Sequence, residues 1–137
     1  MPRILVALDG SRRSEKALET AVKLAQQNGG RLSAVTVLDC TAVPPGELLP
    51  ESCRMQARER LKELLQTAEN FAQSRGVLLS AMLREGHAAE GIITCAEEQQ
   101  ADLVVLGGSS KPERQGELGG TADQVTSHCP CNVLIVK

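Results

Sequence analysis

The chain has 137 residues, a formal net charge of −2 and one aromatic residue, Phe71, so its core must be almost wholly aliphatic. Balanced charge and missing aromatic residues argue against a nucleic-acid-binding protein, which usually has a basic surface and stacking rings. No apolar run approaches the ~20 residues that span a bilayer. The first residues lack the small-residue cleavage site of a signal peptide, so we expect a cytoplasmic protein.

The chain begins with a predicted strand, turn and helix. Ile4–Leu8 is a continuous apolar run, which is typical of a strand buried on both faces. A turn at residues 9–11 breaks it, and Ser11 or Ser14 can cap the helix that follows. Apolar residues three and four positions apart give that helix one buried face. A glycine pair at residues 29–30 is expected to end it.

The middle of the chain predicts two more strands with a long helix between them. Leu32–Leu38 is the second strand, and it is followed by a segment containing three prolines. A helical pattern runs from about Glu51 to Arg75, and its charged face is typical of a solvated surface. Val77–Leu83 is predicted as the third strand, and a third helix from Ala88 to Ala96 follows it.

Two further strands, Leu103–Leu106 and Asn132–Val136, close the chain, with the core of a fourth helix at Asp123–His128 between them. This alternation predicts the α/β class: a doubly wound, Rossmann-like sheet of five parallel strands with helices on both faces. There is no internal linker or repeat, so residues 1–137 are expected to form one domain. Ligands of such sheets bind beyond the carboxyl ends of the strands, where the strand order reverses.

A glycine-rich loop follows the fourth strand, at the end of the sheet where a ligand is expected. Its glycines leave backbone N–H groups open to a phosphate, and Thr121 at the start of the next helix adds a hydroxyl and a favourable partial charge. The loop does not contain the P-loop motif. Nor does the glycine motif of dinucleotide-binding folds follow the first strand. Composition alone leaves two alternatives open, a phosphate cradle or a mobile surface connection.

The whole chain resembles the universal stress protein family. "ILVALDGSRRSEKAL" is similar to the family's first strand, turn and helix, "ADLVVLGG" to its fourth strand and "HCPCNVLIVK" to its closing segment. The resemblance implies binding of ATP, with ADP and AMP as alternatives, and Mg²⁺ held mainly by the phosphates. It also implies a homodimer in which Asn132–Val136 pairs with its copy, which satisfies exposed backbone groups.

In ATP-binding members of the family the loop reads Gly-x2-Gly-x9-Gly-(Ser/Thr), and this chain departs from that pattern. Counting from Gly107 places Ser110 at the second glycine, and Gly120 and Thr121 at the last two positions. Counting from the final helix and strand places Gly119 and Gly120 there, in a loop one residue short. The side chain of Ser110 either crowds a phosphate or binds one, and both alignments stay open.

The resemblance also assigns other nucleotide contacts. It places Asp9 near the ribose and phosphates, and the alternative role of Asp9 is to cap the turn into the first helix. It places the backbone of Val37 against the adenine, which is compatible with packing in a buried strand. The full set of implied contacts is Ala7, Leu8, Asp9, Val37, Leu106, Gly107, Ser110, Gly119, Gly120, Thr121 and Ala122.

No catalytic residue or metal-binding set is predicted. Cys129 and Cys131 are a close pair without the further spaced cysteines of a zinc site. His87 has no nucleophile or carboxylate paired with it in sequence. The expected function is a nucleotide-dependent regulatory dimer of the stress response with an unidentified protein partner. The alternative is a dimeric interaction module that has lost nucleotide binding, and a slow ATPase ranks third.

Overall fold

Strands and helices alternate along residues 2–39, 51–108 and 120–137, the parts of the chain that the computed structural model describes. In chain order they are β1 (Arg3–Ala7), α1 (Arg12–Asn28), β2 (Arg31–Asp39), α2 (Glu51–Ser74), β3 (Leu79–Gly86), α3 (Ala88–Glu98), β4 (Leu103–Gly107), α4 (Gly120–His128) and β5 (Asn132–Val136). No helix in these ranges is long and apolar enough to cross a membrane.

The strands form one parallel sheet in the order β3-β2-β1-β4-β5. The predicted α/β class and doubly wound sheet are confirmed. The chain adds strands on one side of β1 as far as β3, then returns to the other side for β4 and β5. The order therefore reverses between β1 and β4, where Val6 is in register with Val105. The carboxyl ends of these two strands lie side by side, which is where such sheets bind ligands.

Alternation of side chains along each strand divides the core into two layers. In β1, Ile4 and Val6 join the layer under α1 and α2, whereas Leu5 joins the layer under α3 and α4. All three are nearly inaccessible, with 4%, 0% and 0% of their surfaces exposed. The continuous apolar run of β1 follows from this burial on both faces.

Local signals fix the two ends of α1. Ser11 is the N-cap, and its hydroxyl accepts the N–H of Ser14 at 3.2 Å. Gly29 has the left-handed backbone (φ 64°) of a helix C-cap, and its N–H donates to Ala25. Of the two serines predicted as possible caps, Ser11 is thus the one that caps the helix.

The third strand differs most from its sequence prediction. It begins at Leu79 instead of Val77, because the N–H of Val77 donates to Ala72 at 2.9 Å and closes the end of α2. It also continues to Gly86 through two charged residues. One of these, Glu85, pairs with Arg54 of α2, and the hydrogen bond from that arginine is the main cause of the lowered pKa of the carboxyl.

Candidate functional site

The turn after β1 presents Asp9 at the carboxyl end of the sheet. One oxygen of its carboxylate accepts the N–H of Ser11 at 2.8 Å. Gly10 has a φ of 86°, a conformation that residues with a Cβ rarely adopt. Asp9 and Gly10 are both exposed. The carboxylate therefore shapes the turn, as one alternative for Asp9 predicted, and still faces solvent beside the ends of β1 and β4.

Ser14 supports this turn from below. Its side chain is buried, with 3% of the residue exposed, and its hydroxyl donates to the carbonyl of Ser11 at 2.9 Å. The hydroxyl oxygen of Ser14 also accepts a hydrogen bond from the N–H of Asp9, with 3.4 Å between nitrogen and oxygen. The sequence predicts Ser14 only as a possible helix cap. Its position three residues after a cap residue was the available signal for this second role.

Thr36 of β2 holds the turn from the sheet side, and the sequence analysis did not single it out. Its hydroxyl donates to the carbonyl of Leu8 at 2.7 Å, and only 1% of the residue is exposed. The N–H of Leu8 donates to Val35 at 2.9 Å. Both backbone polar groups of Leu8 are thus engaged with β2, and its side chain is buried in the core. Leu8 supports the site from beneath.

Val37 lies where β2 continues beyond the end of β1. Pairing of these strands ends at Ala7 with Val35, whereas β2 runs on against β3 to Asp39. The carbonyl of Val35 points toward β1, since it accepts the N–H of Leu8. Residues two apart in a strand point their backbone groups the same way, so the N–H and carbonyl of Val37 face the space past the last paired residue of β1.

The side chain of Val37 packs against α3 at a glycine. A Cβ added to Gly91 would lie 2.9 Å from a methyl carbon of Val37, closer than two such carbons can stand. A glycine inside a helix ordinarily weakens it. The structure gives Gly91 a packing role, because this glycine lets α3 approach β2 beside the candidate site.

The first glycine pair of the predicted loop differs from the expected phosphate cradle. A Cβ on Gly107 would lie 2.8 Å from the backbone carbonyl carbon of Arg13, so this glycine is needed for α1 to pack against β4. The N–H of Gly108 donates to Val136 at 2.8 Å. That N–H is part of the sheet and is not open to a phosphate, contrary to the expectation for this glycine.

Arg13 brings a positive charge to the same place. One guanidinium nitrogen lies 3.4 Å from the position that a Cβ of Gly108 would occupy. Arg13 is not among the contacts that the sequence predicts. The only signal in the sequence was its place in the first turn of α1, which the strand order brings next to β4.

The helix after the loop, α4, begins at Gly120, three residues before its predicted core. Thr121 is exposed in its first turn, whereas Ala122 is buried with 6% of its surface exposed. The first N–H groups of a helix have no partner within the helix. The predicted contacts at Ser110 and Gly119 lie outside the described residues.

Seven of the predicted contact residues thus fall into two groups. Asp9 and Thr121 are exposed at the carboxyl end of the sheet, and Ala7 and Gly107 end β1 and β4 there. The buried group lies directly beneath them and consists of Leu8, Leu106 and Ala122.

His87 begins α3 as its N-cap residue without a capping hydrogen bond from its side chain. Its Nδ1 is buried and has no hydrogen-bond partner among the described residues. Within those same ranges no three histidine, cysteine or acidic side chains come together as a metal site would require. Neither observation adds a catalytic group to the candidate site.

Comparison with known proteins gives consistent matches over the whole chain. A model of the universal stress protein family matches residues 1–137. A universal stress protein of Methanocaldococcus jannaschii is 30% identical over 142 aligned positions, which cover 98% of this chain and 81% of that protein.

Solved structures match the fold equally well. A universal stress protein from Lactobacillus plantarum superposes with a TM-score of 0.86 and 26% identity, over 99% of this chain and 97% of that one. A universal stress protein from Archaeoglobus fulgidus in complex with dAMP superposes with a TM-score of 0.74 and 22% identity, over 100% and 98% of the two chains. At that identity the second likeness concerns the fold alone.

Proposed function

Since the chain belongs to the universal stress protein family, we propose that it binds an adenine nucleotide, ATP with Mg²⁺ on its phosphates, at the carboxyl ends of β1 and β4. The observation that carries the proposal is the reversal of strand order between these strands, which brings the turn of Asp9 beside Gly107. The Archaeoglobus fulgidus structure is a complex with dAMP. Like the proposed ligand, dAMP contains adenine and a phosphate, but its sugar lacks the 2′-hydroxyl.

The adenine contact would come from the backbone. The N–H and carbonyl of Val37 face the space past β1, and they offer one donor and one acceptor to the edge of a base. Stacking between aromatic side chains is not available to this chain, because Phe71 is its only aromatic residue and it packs in the layer under α1 and α2. Apolar side chains such as Val37 would have to cover the faces of the base.

The phosphate contacts would come from α4 and α1. The first N–H groups of α4 have no partner within the helix, Thr121 adds a hydroxyl there, and the positive end of the helix dipole favours an anion. Arg13 adds a full positive charge near Gly108. The carboxylate of Asp9 would repel phosphates, so it suits the ribose hydroxyls better, as an acceptor of their hydrogen bonds. Mg²⁺ would be held mainly by the phosphates.

We propose further that the protein acts in the cytoplasm as a regulatory homodimer whose β5 pairs with its copy, and that nucleotide binding alters its contact with a protein partner. The alternative is a dimeric interaction module without a nucleotide. The engaged N–H of Gly108 and the departure at Ser110 favour that alternative. Titrations with ATP, ADP and AMP would compare their affinities for the protein directly.

Calorimetric titration of nucleotide-free protein with ATP and Mg²⁺ tests the proposal. We expect saturable binding that weakens at least about tenfold in Arg13→Gln, because a hydrogen bond to a charged group contributes about 1.5–3 kcal/mol. Arg12→Gln is the matched control: it removes the same charge from the neighbouring, exposed position and should bind ATP as the original chain does.

Two results would count against the proposal. If folded, nucleotide-free protein gives no saturable heat with ATP, ADP or AMP, the protein is an interaction module of the family. If ATP binds but Arg12→Gln and Arg13→Gln weaken it equally, the phosphates do not lie at Gly108 and the site has been misplaced.

A further inference from the structure

We propose that Cys129 and Cys131 are a peroxide-sensitive dithiol that closes reversibly to an intramolecular disulfide at the junction of α4 and β5. Their sulfur atoms lie 3.5 Å apart and share a hydrogen bond in which either can be the donor. The proposal does not depend on nucleotide binding, so either can fail without the other.

The junction holds the two sulfur atoms together from both sides. The N–H of Cys129 donates to Val125 at 2.8 Å, which ties it to the last turn of α4. Cys131 immediately precedes β5, whose register with β4 begins at Asn132. Pro130 between them restricts the backbone further. The cysteines of a disulfide need Cβ atoms about 3.5–4.5 Å apart, and sulfur atoms already in van der Waals contact need little further movement.

Exposure separates this pair from the other described cysteines. Both cysteines are partly buried against the layer under α3 and α4, so an oxidant as small as a peroxide can reach them. Cys95 lies in the same layer with 0% of its surface exposed, and burial raises the pKa of its thiol. Cys53 is exposed on α2 without a cysteine partner among the described residues. These two residues are internal controls for burial and for exposure.

The shared hydrogen bond assigns different roles to the two thiols. Partial burial, and then the hydrogen bond with Cys129, raise the pKa of Cys131 to about 12. Cys131 therefore stays protonated, and its S–H can donate to the sulfur of Cys129. A thiolate, not a thiol, attacks peroxides. Cys129 is thus the attacking residue and Cys131 the resolving one.

The reaction needs only a hydroperoxide as oxidant. The sulfur of Cys129 attacks one peroxide oxygen and the O–O bond breaks. The departing hydroxide takes the thiol proton of Cys129 as water, which leaves a sulfenic acid. The sulfur of Cys131 then attacks the sulfur of Cys129. The S–S bond forms as the S–O bond breaks, and the departing hydroxide takes the proton of Cys131 as water. Two thiols lose two electrons, and hydrogen peroxide becomes two molecules of water.

The sequence makes the product easy to detect. Trypsin cleaves after Arg114, and the resulting peptide 115–137 contains both cysteines and no other. Folded protein would be treated with hydrogen peroxide at increasing ratios, blocked with an alkylating reagent, digested without reductant and weighed by mass spectrometry. We expect a peptide that carries no blocking group and is lighter by two hydrogens. Dithiothreitol should return it to the doubly blocked form.

Variants test the assigned roles. Cys131→Ser should leave Cys129 as a sulfenic acid that a dimedone reagent captures. Cys129→Ser should leave a peptide whose single thiol is still blocked by the alkylating reagent, because burial still raises the pKa of Cys131 and a thiolate, not a thiol, attacks peroxides. Cys53→Ser should change nothing in this peptide. Circular dichroism of each variant shows whether it is folded.

Three results would overturn the proposal. The first is a peptide that keeps two blockable thiols while Cys53 is oxidised. The second is a light peptide that forms only after unfolding, when Cys95 reacts as well. The third is a peptide 115–137 that is joined by disulfide to a second peptide instead of closing within itself.

Discussion

The carbonyl of Leu8 accepts its hydrogen bond from a side chain instead of from the backbone of a neighbouring strand. β1 ends at Ala7, so the strand ladder supplies no donor for this carbonyl, and the Thr36 hydroxyl takes that place at 2.7 Å. Both residues are buried, and water cannot replace the bond. The turn that carries Asp9 therefore depends on a polar group in the middle of an apolar strand.

Replacing Thr36 by Val tests this bond at nearly constant volume. Thr36→Val leaves the buried carbonyl without a partner, and we expect the free energy of unfolding to fall by about 1–3 kcal/mol. Urea denaturation measures the loss. Thr20→Val is the control: its hydroxyl bonds to Lys16 on the exposed side of α1, where water can substitute, and it should change stability by less than about 0.5 kcal/mol. Equal losses in both variants would show that the Leu8 bond contributes nothing specific.

At the scale of helices and strands, Gly107 allows α1 to pack closely against β4. The backbone of α1 at Arg13 and Ser14 lies where a side chain on Gly107 would begin, at 2.8 and 2.9 Å from its Cβ position. Gly108, the next residue, has 3.4 Å to its nearest neighbours and tolerates a methyl group. Adjacent glycines therefore have different roles, one in packing and one at the edge of the sheet.

Alanine substitution should separate these two glycines. Gly107→Ala forces a methyl group against backbone that cannot move aside, and we expect a loss of about 1–3 kcal/mol in the free energy of unfolding. Gly108→Ala keeps the N–H that donates to Val136 and should stay within about 0.5 kcal/mol of the original chain. Thermal and urea denaturation of the pair would check both values. A larger loss in Gly108→Ala would contradict the packing role.

The elements themselves could be predicted because each carries a local pattern. β5 has its predicted bounds, Asn132–Val136, and the order of strands and helices follows from alternating periodicity. The predicted start of β3 was wrong because Val77 is apolar and 8% exposed, like a strand residue, yet its N–H bonds back to Ala72 at the end of α2. Its continuation through Glu85 was missed because a charged pair in an edge strand has no local signature.

The candidate site was predicted only in part, for a similar reason. The turn at Asp9 is local, and its residues were found. The bond between Thr36 and Leu8 joins residues 28 positions apart, and the approach of Arg13 to Gly108 depends on strand order. The periodicity of the sequence predicts neither contact. Glycine content alone also could not show that the N–H of Gly108 is used within the sheet.

At the scale of the whole molecule, β5 forms one outer edge of the sheet. The carbonyl of Val136 accepts from Gly108, so this residue points its backbone toward β4. Alternation then turns the backbone groups of Val133 and Ile135 outward. Leu134 is 37% exposed, which makes this an apolar edge of the kind that recruits another strand. The proposed dimer would pair these outward groups with their copies.

A proline at the outer edge should weaken the proposed dimer. Val133→Pro removes one outward N–H from each copy, and two lost hydrogen bonds at about 1 kcal/mol each raise the dissociation constant roughly thirtyfold. Val133→Ala removes similar packing but keeps the N–H, so it should dimerise more tightly than the proline variant. Sedimentation equilibrium gives both constants. A monomeric original chain, or equal constants for the two variants, would contradict pairing through β5.

The strand order also bears on how the chain is made. β1, β2 and β3 are neighbours in space and come from one continuous stretch, Arg3–Gly86. A ribosome releases this stretch first, because synthesis proceeds from the N-terminus. Three of the five strands, with α1 and α2 over one face, are therefore available to pair while α3, β4 and β5 are still being synthesised. During that interval β1 is an open edge of the nascent protein, and the arrival of β4 closes it.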